Sequence, residues 1–176
     1  MNRIHKAFGV YGIISKNNEL LVIDKNGGPY IHRYDLLGGS MEGTELLEDT
    51  LIREIHEETG LHALSYQQLG SIAFKYPWKY QKFNINIHIC IMYLITNYDG
   101  DLLKKVPQFI GQDSVGCEYI SFSNINEDNS SPLVLKAKDY LLDSNDCFDT
   151  TSKTFKKWEI KWSKKDRLNI YSTYPL

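Results

Sequence analysis

The sequence predicts one domain with an α/β or α+β sandwich fold, in which helices cover a mixed β-sheet. Segments rich in β-branched and aromatic residues flank one strongly helical segment, and further strands and a second helix follow. One segment, 85–91, alternates apolar and polar residues at the period of a β-strand. The length of 176 residues suits one domain, and 42% hydrophobic residues are ordinary for a globular protein.

The N-terminal third predicts three strands. Ala7–Ile14 and Glu19–Asp24 are short apolar runs, and Asn17-Asn18 between them is a turn signal, so the two runs should form a hairpin. After a Gly- and Pro-containing break, Ile31–Leu37 should form the third strand, which ends at Gly38-Gly39.

The strongest helical signal follows this third strand. Thr44 is a candidate N-cap, acidic residues occupy the first turn, and Gly60 suits the C-terminal stop after Thr59. Leu64–Lys75 and Phe83–Thr96 are the next strand candidates.

The C-terminal part predicts one short strand, one helix and a strand-rich tail. Cys117–Phe122 is the strand, and Asn129-Ser130-Ser131-Pro132 suits the start of a helix that runs to about Leu142. The segments 154–162 and 168–174 are further strand candidates, within an expected appendage over residues 150–176.

Composition excludes several functional classes. Twenty basic and 22 acidic residues give a net charge of −2, which argues against binding to duplex nucleic acid or an anionic membrane. Three cysteines without C-x-x-C spacing argue against a disulfide framework or a zinc site. The N-terminal residues lack the features of a secretory signal, and no apolar run reaches membrane-spanning length, so we expect a cytoplasmic location.

Three glutamates on the first helix are the main candidates for chemistry. Glu54, Glu57 and Glu58 span an arc of about 100° on an α-helix, beside apolar Leu51 and Ile55. Carboxylates this close repel one another unless a cation intervenes, and oxygen-rich clusters suit Mg²⁺ or Mn²⁺. The alternative is an ordinary solvated acidic face.

The spacing around these glutamates resembles a known motif. Gly39, Glu45, the run Arg53 to Glu58, Gly60 and Leu61 match the Nudix box, G-x5-E-x7-R-E-U-x-E-E-x-G-U with U apolar, at every specified position. The resemblance implies a Nudix-like α/β/α sandwich with a mixed sheet. Many relatives have proline before the Gly-Gly pair, where this chain has Leu37; proline there would only stiffen the loop.

The resemblance also implies roles for matching residues. Glu54, Glu57, Glu58 and the carbonyl of Gly38 would hold Mg²⁺, with Mn²⁺ as an alternative. Arg53 would orient the acids through salt bridges to Glu45 and Glu57. Glu57 is the first choice for the catalytic base. Outside the box, Asp113 is the alternative base, and Glu118 competes with Asp113 for that role.

Candidates for substrate binding lie outside the box. Tyr76, Trp78 and Tyr80 belong to an aromatic cluster that could stack on a nucleobase or simply pack in the core. Arg33 is a further candidate. Pro77 lies sixteen residues after Leu61, which resembles the ADP-ribose pyrophosphatase subgroup of the family.

The expected function is hydrolysis of a nucleoside diphosphate linked to another moiety, such as ADP-ribose or a nucleotide sugar. The alternative within the same chemistry is a nucleoside triphosphate pyrophosphohydrolase resembling MutT. An alternative of another class is a nucleotide-binding regulator without catalysis. The expected partner is a small nucleotide, and the sequence leaves a homodimer open.

Overall fold

Nine β-strands and two α-helices form the framework in the computed structural model, which describes residues 2–103 and 114–162. The helices are α1 (Leu47–Thr59) and α2 (Pro132–Leu142). The strands are β1 (Ile4–Ile13), β2 (Ser15–Lys16), β3 (Glu19–Lys25), β4 (Tyr34–Asp35), β5 (Leu37–Gly39), β6 (His62–Tyr80), β7 (Phe83–Asp99), β8 (Ser114–Ser121) and β9 (Lys153–Thr154). In the described ranges, no helix is both long enough and apolar enough to cross a membrane.

The larger sheet has five strands in the order β5-β1-β7-β6-β9. β1 pairs with β7 in parallel, and β7 pairs with β6 in antiparallel orientation. The smaller sheet is built around β3, which pairs antiparallel with β2, β4 and β8. The combination of parallel and antiparallel pairs confirms the mixed sheet that the sequence predicts.

Two apolar clusters place the helices on opposite sides of the sheets. Leu51 and Ile55 of α1 pack in one cluster with Val10 of β1, whereas Val134 of α2 packs in the other with Tyr11. Val10 and Tyr11 are neighbours in a strand, so their side chains point to opposite faces. This arrangement is the predicted α/β/α sandwich.

Several predicted boundaries are confirmed. Gly60 ends α1 in the left-handed conformation, with φ of 76°. Ser131 caps α2, because its hydroxyl accepts a hydrogen bond from the main-chain N–H of Val134 at 3.3 Å.

Asn17 and Asn18 adopt the positive φ angles of a tight hairpin turn, which confirms the predicted turn. The turn joins β3 to the two-residue β2, whereas β1 pairs with β5 and β7 in the larger sheet. The predicted hairpin of Ala7–Ile14 with Glu19–Asp24 is therefore wrong, because the chain changes sheets after β1.

Other boundaries differ from the predictions. The expected strand over 31–37 is divided into β4 and β5, because the chain passes there from the smaller sheet to the larger one. Helix α1 begins at Leu47 and not directly after Thr44, and the carboxylate of Asp49 accepts the N–H of Leu46 at 3.0 Å. In the predicted tail strand over 154–162, only Thr154 lies in a strand. The tail segment 168–174 lies outside the described residues.

Candidate active site

Helix α1 presents Glu54, Glu57 and Glu58 at graded depths. Leu51 and Ile55 are buried in the core, and Glu58, three residues after Ile55, is only 2% exposed. The side chains of Glu54 and Glu57 are 15% and 39% exposed. The carboxylates therefore extend from the protein interior to the solvent along one edge of the helix, as the sequence spacing predicts.

Arg53 joins the acids of the box into one network. Its Nε lies 2.6 Å from Glu45 Oε1, and its Nη2 donates to the other Glu45 oxygen at 3.0 Å. Its Nη1 lies 3.0 Å from Glu54 and 3.2 Å from Glu57. A further hydrogen bond from Nη2 reaches the main-chain oxygen of Ser40 at 3.1 Å. The predicted contacts of Arg53 with Glu45 and Glu57 are thus present, and they tie the helix to the loop before it.

The loop at Gly38-Gly39 packs directly on these acids. The N–H of Gly38 donates to Glu58 Oε2 at 2.8 Å. A side chain on Gly38 would collide with the carbonyl of Val10, and one on Gly39 would collide with the carboxylate of Glu54. Gly38 also has φ of 138°, a conformation that favours glycine. The two glycines therefore allow main chain and carboxylates to meet.

The electrostatic environment distinguishes the acids. Burial raises the pKa of Glu54, and Glu57 raises it further, while Arg53 opposes both effects. A hydrogen bond from Arg53 is the largest cause that lowers the pKa of Glu45 to about 2. Glu45 therefore serves as the permanent counterion of Arg53, whereas Glu54 would be stabilised as a carboxylate by a further cation.

The donor set suits a hard divalent cation chemically. Carboxylate oxygens of Glu54 and Glu57 already share one cationic atom, Arg53 Nη1, and Glu58 lies deeper on the same edge. Within residues 2–103 and 114–162, no three acidic, histidine or cysteine side chains are preassembled as a metal-binding group. A bound cation would therefore require these carboxylates to turn toward it.

A cavity of about 150 Å³ adjoins the box at Ser40. It lies between β1, β6, β7 and the turn over Gly28–Tyr30. Polar and aromatic side chains dominate its wall, which includes His5, Lys25, Tyr30, Trp78, Asn86 and His88. Because Ser40 also contacts Arg53, the cavity and the acidic edge belong to one continuous site.

The wall of this cavity carries a buried hydrogen-bond network. His88 is held by the hydroxyls of Tyr11 at 2.9 Å and Tyr30 at 3.0 Å. Asn86 donates to the hydroxyl of Tyr76 at 2.6 Å and contacts His5 Nδ1 at 2.7 Å. Burial, followed by the charges of Lys25 and His5, lowers the pKa of His88 to about 3, so its imidazole is neutral at pH 7.

Lys25 and the polar residues of the cavity are the functional candidates that sequence reasoning missed. Lys25 lines the cavity, and its positive charge acts on both Glu54 and His88. Lys25 lies one residue beyond the predicted strand Glu19–Asp24, and no motif marks it. Asn86 and His88 do carry a signal: they are the polar members of the alternating segment 85–91.

The predicted aromatic residues lie beside the cavity. Trp78 contributes to its wall, and Tyr80 stacks on Trp78 with ring centroids 4.6 Å apart and an interplanar angle of 6°. Tyr76 is fully buried and contacts two wall residues of the cavity, Asn86 and Tyr30. The structure thus brings Trp78 to the site directly, and Tyr76 and Tyr80 through the wall residues that they contact.

The structure gives Arg33 a different setting. It is buried and donates to the main-chain oxygens of Glu127 at 2.8 Å and Asp128 at 2.5 Å, and its guanidinium lies over Trp158. These contacts anchor the loop before α2, and none of them supports the predicted substrate role. Asp113 lies outside the described residues, and Glu118 is exposed on β8.

Comparisons with known proteins agree with this geometry. The family model of the NUDIX domain matches residues 3–135, about three quarters of the chain. An ADP-ribose pyrophosphatase of Methanocaldococcus jannaschii is 30% identical over 122 residues, which cover 69% of this chain and 66% of that protein. The chain therefore spans slightly less than two thirds of the length of that relative.

Two further comparisons are more limited. The NAD-capped RNA hydrolase NudC of Vibrio parahaemolyticus is 34% identical over 68 residues, which cover 36% of this chain and 24% of that protein. The crystal structure of a MutT protein from Bacillus halodurans superposes with a TM-score of 0.63 at 18% identity, covering 89% of this chain and 95% of that one. This last likeness supports the fold alone. The complete box, the sandwich around it and the match over residues 3–135 show that this chain belongs to the Nudix hydrolase family.

Proposed function

We propose that this protein hydrolyses the diphosphate bond of a nucleoside diphosphate linked to another moiety, with Mg²⁺ held by Glu54, Glu57 and Glu58. The observation that carries the proposal is the graded row of carboxylates on α1. Arg53 binds Glu54 and Glu57 of this row and also contacts Ser40, which lines the cavity. Acids at one end and a cavity lined mainly by polar and aromatic side chains at the other suit a ligand with a diphosphate attached to a neutral group.

The relatives support this class of substrate. One is named ADP-ribose pyrophosphatase and the other NAD-capped RNA hydrolase. ADP-ribose is itself a nucleoside diphosphate that carries a second sugar, so its chemistry matches the proposal. Pro77, which lies in β6 beside Trp78, is the sequence feature that favours the same subgroup.

Each residue of the box would have a distinct task. When bound, Mg²⁺ would neutralise phosphate oxygens and activate water. Glu57 is the most exposed of the three acids and would accept the proton of the attacking water. Arg53 holds Glu54 and Glu57 in position, and Glu58 is oriented by the N–H of Gly38. The carbonyl of Gly38 would add an oxygen ligand.

The test is a comparison of substrates at one pH and one Mg²⁺ concentration. The purified protein is assayed with ADP-ribose, nucleotide sugars, NADH, dinucleoside polyphosphates and the common nucleoside triphosphates, and Mn²⁺ replaces Mg²⁺ in a parallel series. We expect kcat/KM for ADP-ribose or a nucleotide sugar to exceed that for every triphosphate by at least tenfold. Chelation of the metal should abolish turnover.

Other outcomes would replace the proposal. Preference for a triphosphate would favour the MutT-like reading with the same catalytic residues. Binding of nucleotides without release of any product would favour a regulator. A Glu57→Gln variant serves as the control for contaminating hydrolases. Turnover that belongs to this site should be lower in the variant than in the wild type, whereas turnover by a contaminant should be the same in both preparations.

A further inference from the structure

The turn over Gly28–Tyr30, which borders the cavity, has little support from its own sequence. It is a single turn of 3₁₀ helix, and it follows Asn26 and Gly27. Gly28 is exposed and has φ of 68°, in the left-handed region. Because glycines lose much conformational freedom on folding, the fixed position of this turn must come from contacts with distant residues.

The C-terminal segment supplies such contacts through Trp158. The indole Nε1 of Trp158 donates a hydrogen bond to the main-chain oxygen of Pro29 at 2.9 Å. Its ring also meets the ring of Tyr30 edge to face, with centroids 5.8 Å apart and an interplanar angle of 81°. One side chain therefore holds two successive residues of the turn, Pro29 through its main chain and Tyr30 through its ring.

Arg33 ties the same segment to the chain just after the turn. The central carbon of its guanidinium lies 4.7 Å from the centroid of the Trp158 ring, and its Nη2 donates to the main-chain oxygen of Glu159 at 3.3 Å. The main-chain N–H of Arg33 donates to the oxygen of Tyr30 at 3.0 Å. Trp158 thus contacts the turn and, through Arg33, the residues that follow it.

The C-terminal segment is itself fixed on the larger sheet. Strand β9 pairs with β6, and the next N–H along the chain, that of Phe155, donates to the main-chain oxygen of Lys75 at 2.8 Å. The ring centroids of Phe155 and of Tyr76 in β6 lie 5.4 Å and 5.3 Å from that of Trp158. Sheet pairing and aromatic packing therefore give Trp158 a firm base from which it restrains the turn.

The turn transmits this restraint to the cavity wall. The hydroxyl of Tyr30 contacts His88 Nδ1 at 3.0 Å, and both residues line the cavity. Lys25 lines it as well, and its N–H donates to the main-chain oxygen of Arg33 at 3.1 Å. A displaced turn would therefore move part of the cavity wall, whereas the carboxylates are held separately on α1 by Arg53.

We propose that Trp158 is a positioning residue for substrate binding, and that residues 153–158 clamp the turn over Gly28–Tyr30 in the conformation that binds substrate. The NUDIX model matches residues 3–135, so this clamp lies in a part of the chain to which the family match assigns no role. The inference rests on the proposed function, because it takes the cavity beside the box as the place of the substrate.

Hydrogen exchange of the free protein measures the clamp without any substrate. Main-chain N–H groups over residues 31–33 donate hydrogen bonds to the turn or to Lys25, so their exchange reports how often the turn opens. In Trp158→Ala, the exchange of a peptide that covers residues 26–33 should become at least tenfold faster. Exchange of α1 should stay within twofold of the wild-type rate.

Steady-state kinetics with ADP-ribose and Mg²⁺ measures the consequence for the substrate. Trp158→Ala should raise KM at least fivefold and leave kcat within twofold, because the clamp acts on the cavity wall and not on the carboxylates. Trp158→Phe keeps a ring beside Tyr30 and Arg33 but loses the hydrogen bond to Pro29. Its exchange and its KM should therefore rise by smaller factors, and it replaces the alanine variant if that variant folds poorly.

Phe148→Ala is the matched control. Phe148 is a partly buried aromatic residue of the same C-terminal region, but it packs on Tyr140 and Lys136 of α2. Its removal should lower the free energy of unfolding without changing KM or the exchange of residues 26–33.

Three results would overturn the inference: wild-type exchange of residues 26–33 in Trp158→Ala, faster exchange in that variant with an unchanged KM, or equal increases in Phe148→Ala. The proposed function fails separately, if the wild type hydrolyses neither ADP-ribose nor any other compound of the substrate comparison. In that case the exchange experiment still decides whether the clamp exists.

Discussion

The buried imidazole of His88 should make the stability of this protein sensitive to acid. Its pKa is lowered from 6.5 to about 3 by burial and by the nearby charges of Lys25 and His5. Between these two pKa values the unfolded chain binds a proton that the folded chain does not. The contribution of His88 to stability is therefore fully present above pH 6.5 and is lost as the pH falls toward 3.

The size of this effect follows from the same two values. At pH 5 the unfolded imidazole is protonated and the folded one is not, which lowers the free energy of unfolding by roughly 2 kcal/mol relative to pH 7. For a chain of this length that loss corresponds to a decrease in Tm of about 4–8 °C. Substitution of His88 by glutamine removes the titrating group and retains an amide that can contact Tyr11 or Tyr30.

The assay is urea unfolding followed by tryptophan fluorescence at pH 7 and pH 5 for the wild type and His88→Gln. The variant will be less stable at both values, but its loss between pH 7 and pH 5 should be smaller than that of the wild type by roughly 2 kcal/mol. The control is His62→Gln, which removes an exposed imidazole far from these tyrosines and should keep the wild-type pH dependence. Equal pH dependence in His88→Gln and the wild type would refute the reasoning.

Three further substitutions test the site. Glu58→Gln should reduce kcat at least tenfold and leave the fold intact, since a glutamine oxygen can still accept a hydrogen bond from the N–H of Gly38. Full activity of this variant at limiting Mg²⁺ would exclude the box from the mechanism. Gly39→Ala should also reduce kcat at least tenfold, because the new methyl group displaces the carboxylate of Glu54. The control is Gly43→Ala, whose methyl group meets no atom within 4 Å; the φ of +52° at Gly43 strains alanine, so this variant should lose stability but keep its activity. Steady-state kinetics of Trp78→Ala should show a larger increase in KM than decrease in kcat, and an unchanged KM would assign Trp78 to packing alone.

Features that depend on neighbours along the chain were predicted from sequence most accurately. The acidic edge of α1, the contacts of Arg53, the hairpin turn at Asn17-Asn18 and the stop at Gly60 all depend on residues fewer than ten positions apart. Helical periodicity and turn chemistry determine such features locally. The start of α1 was predicted wrongly because Asp49 binds the N–H of Leu46 in the preceding loop. The segment 31–37 was predicted wrongly because the chain changes sheets there.

The sequence by itself therefore determined the family and the carboxylate-bearing helix, and it predicted a divalent metal from the oxygen ligands on that helix. Only the tertiary structure decided which residues form the cavity beside that helix. Parallel pairing of β1 with β7 places Ala7 opposite His88, and the end of β3 brings Lys25 to the cavity, where its charge acts on Glu54 and His88. Because a register shift of one residue would turn each side chain to the other face, and because these partners lie far apart in sequence, no local pattern could specify their meeting.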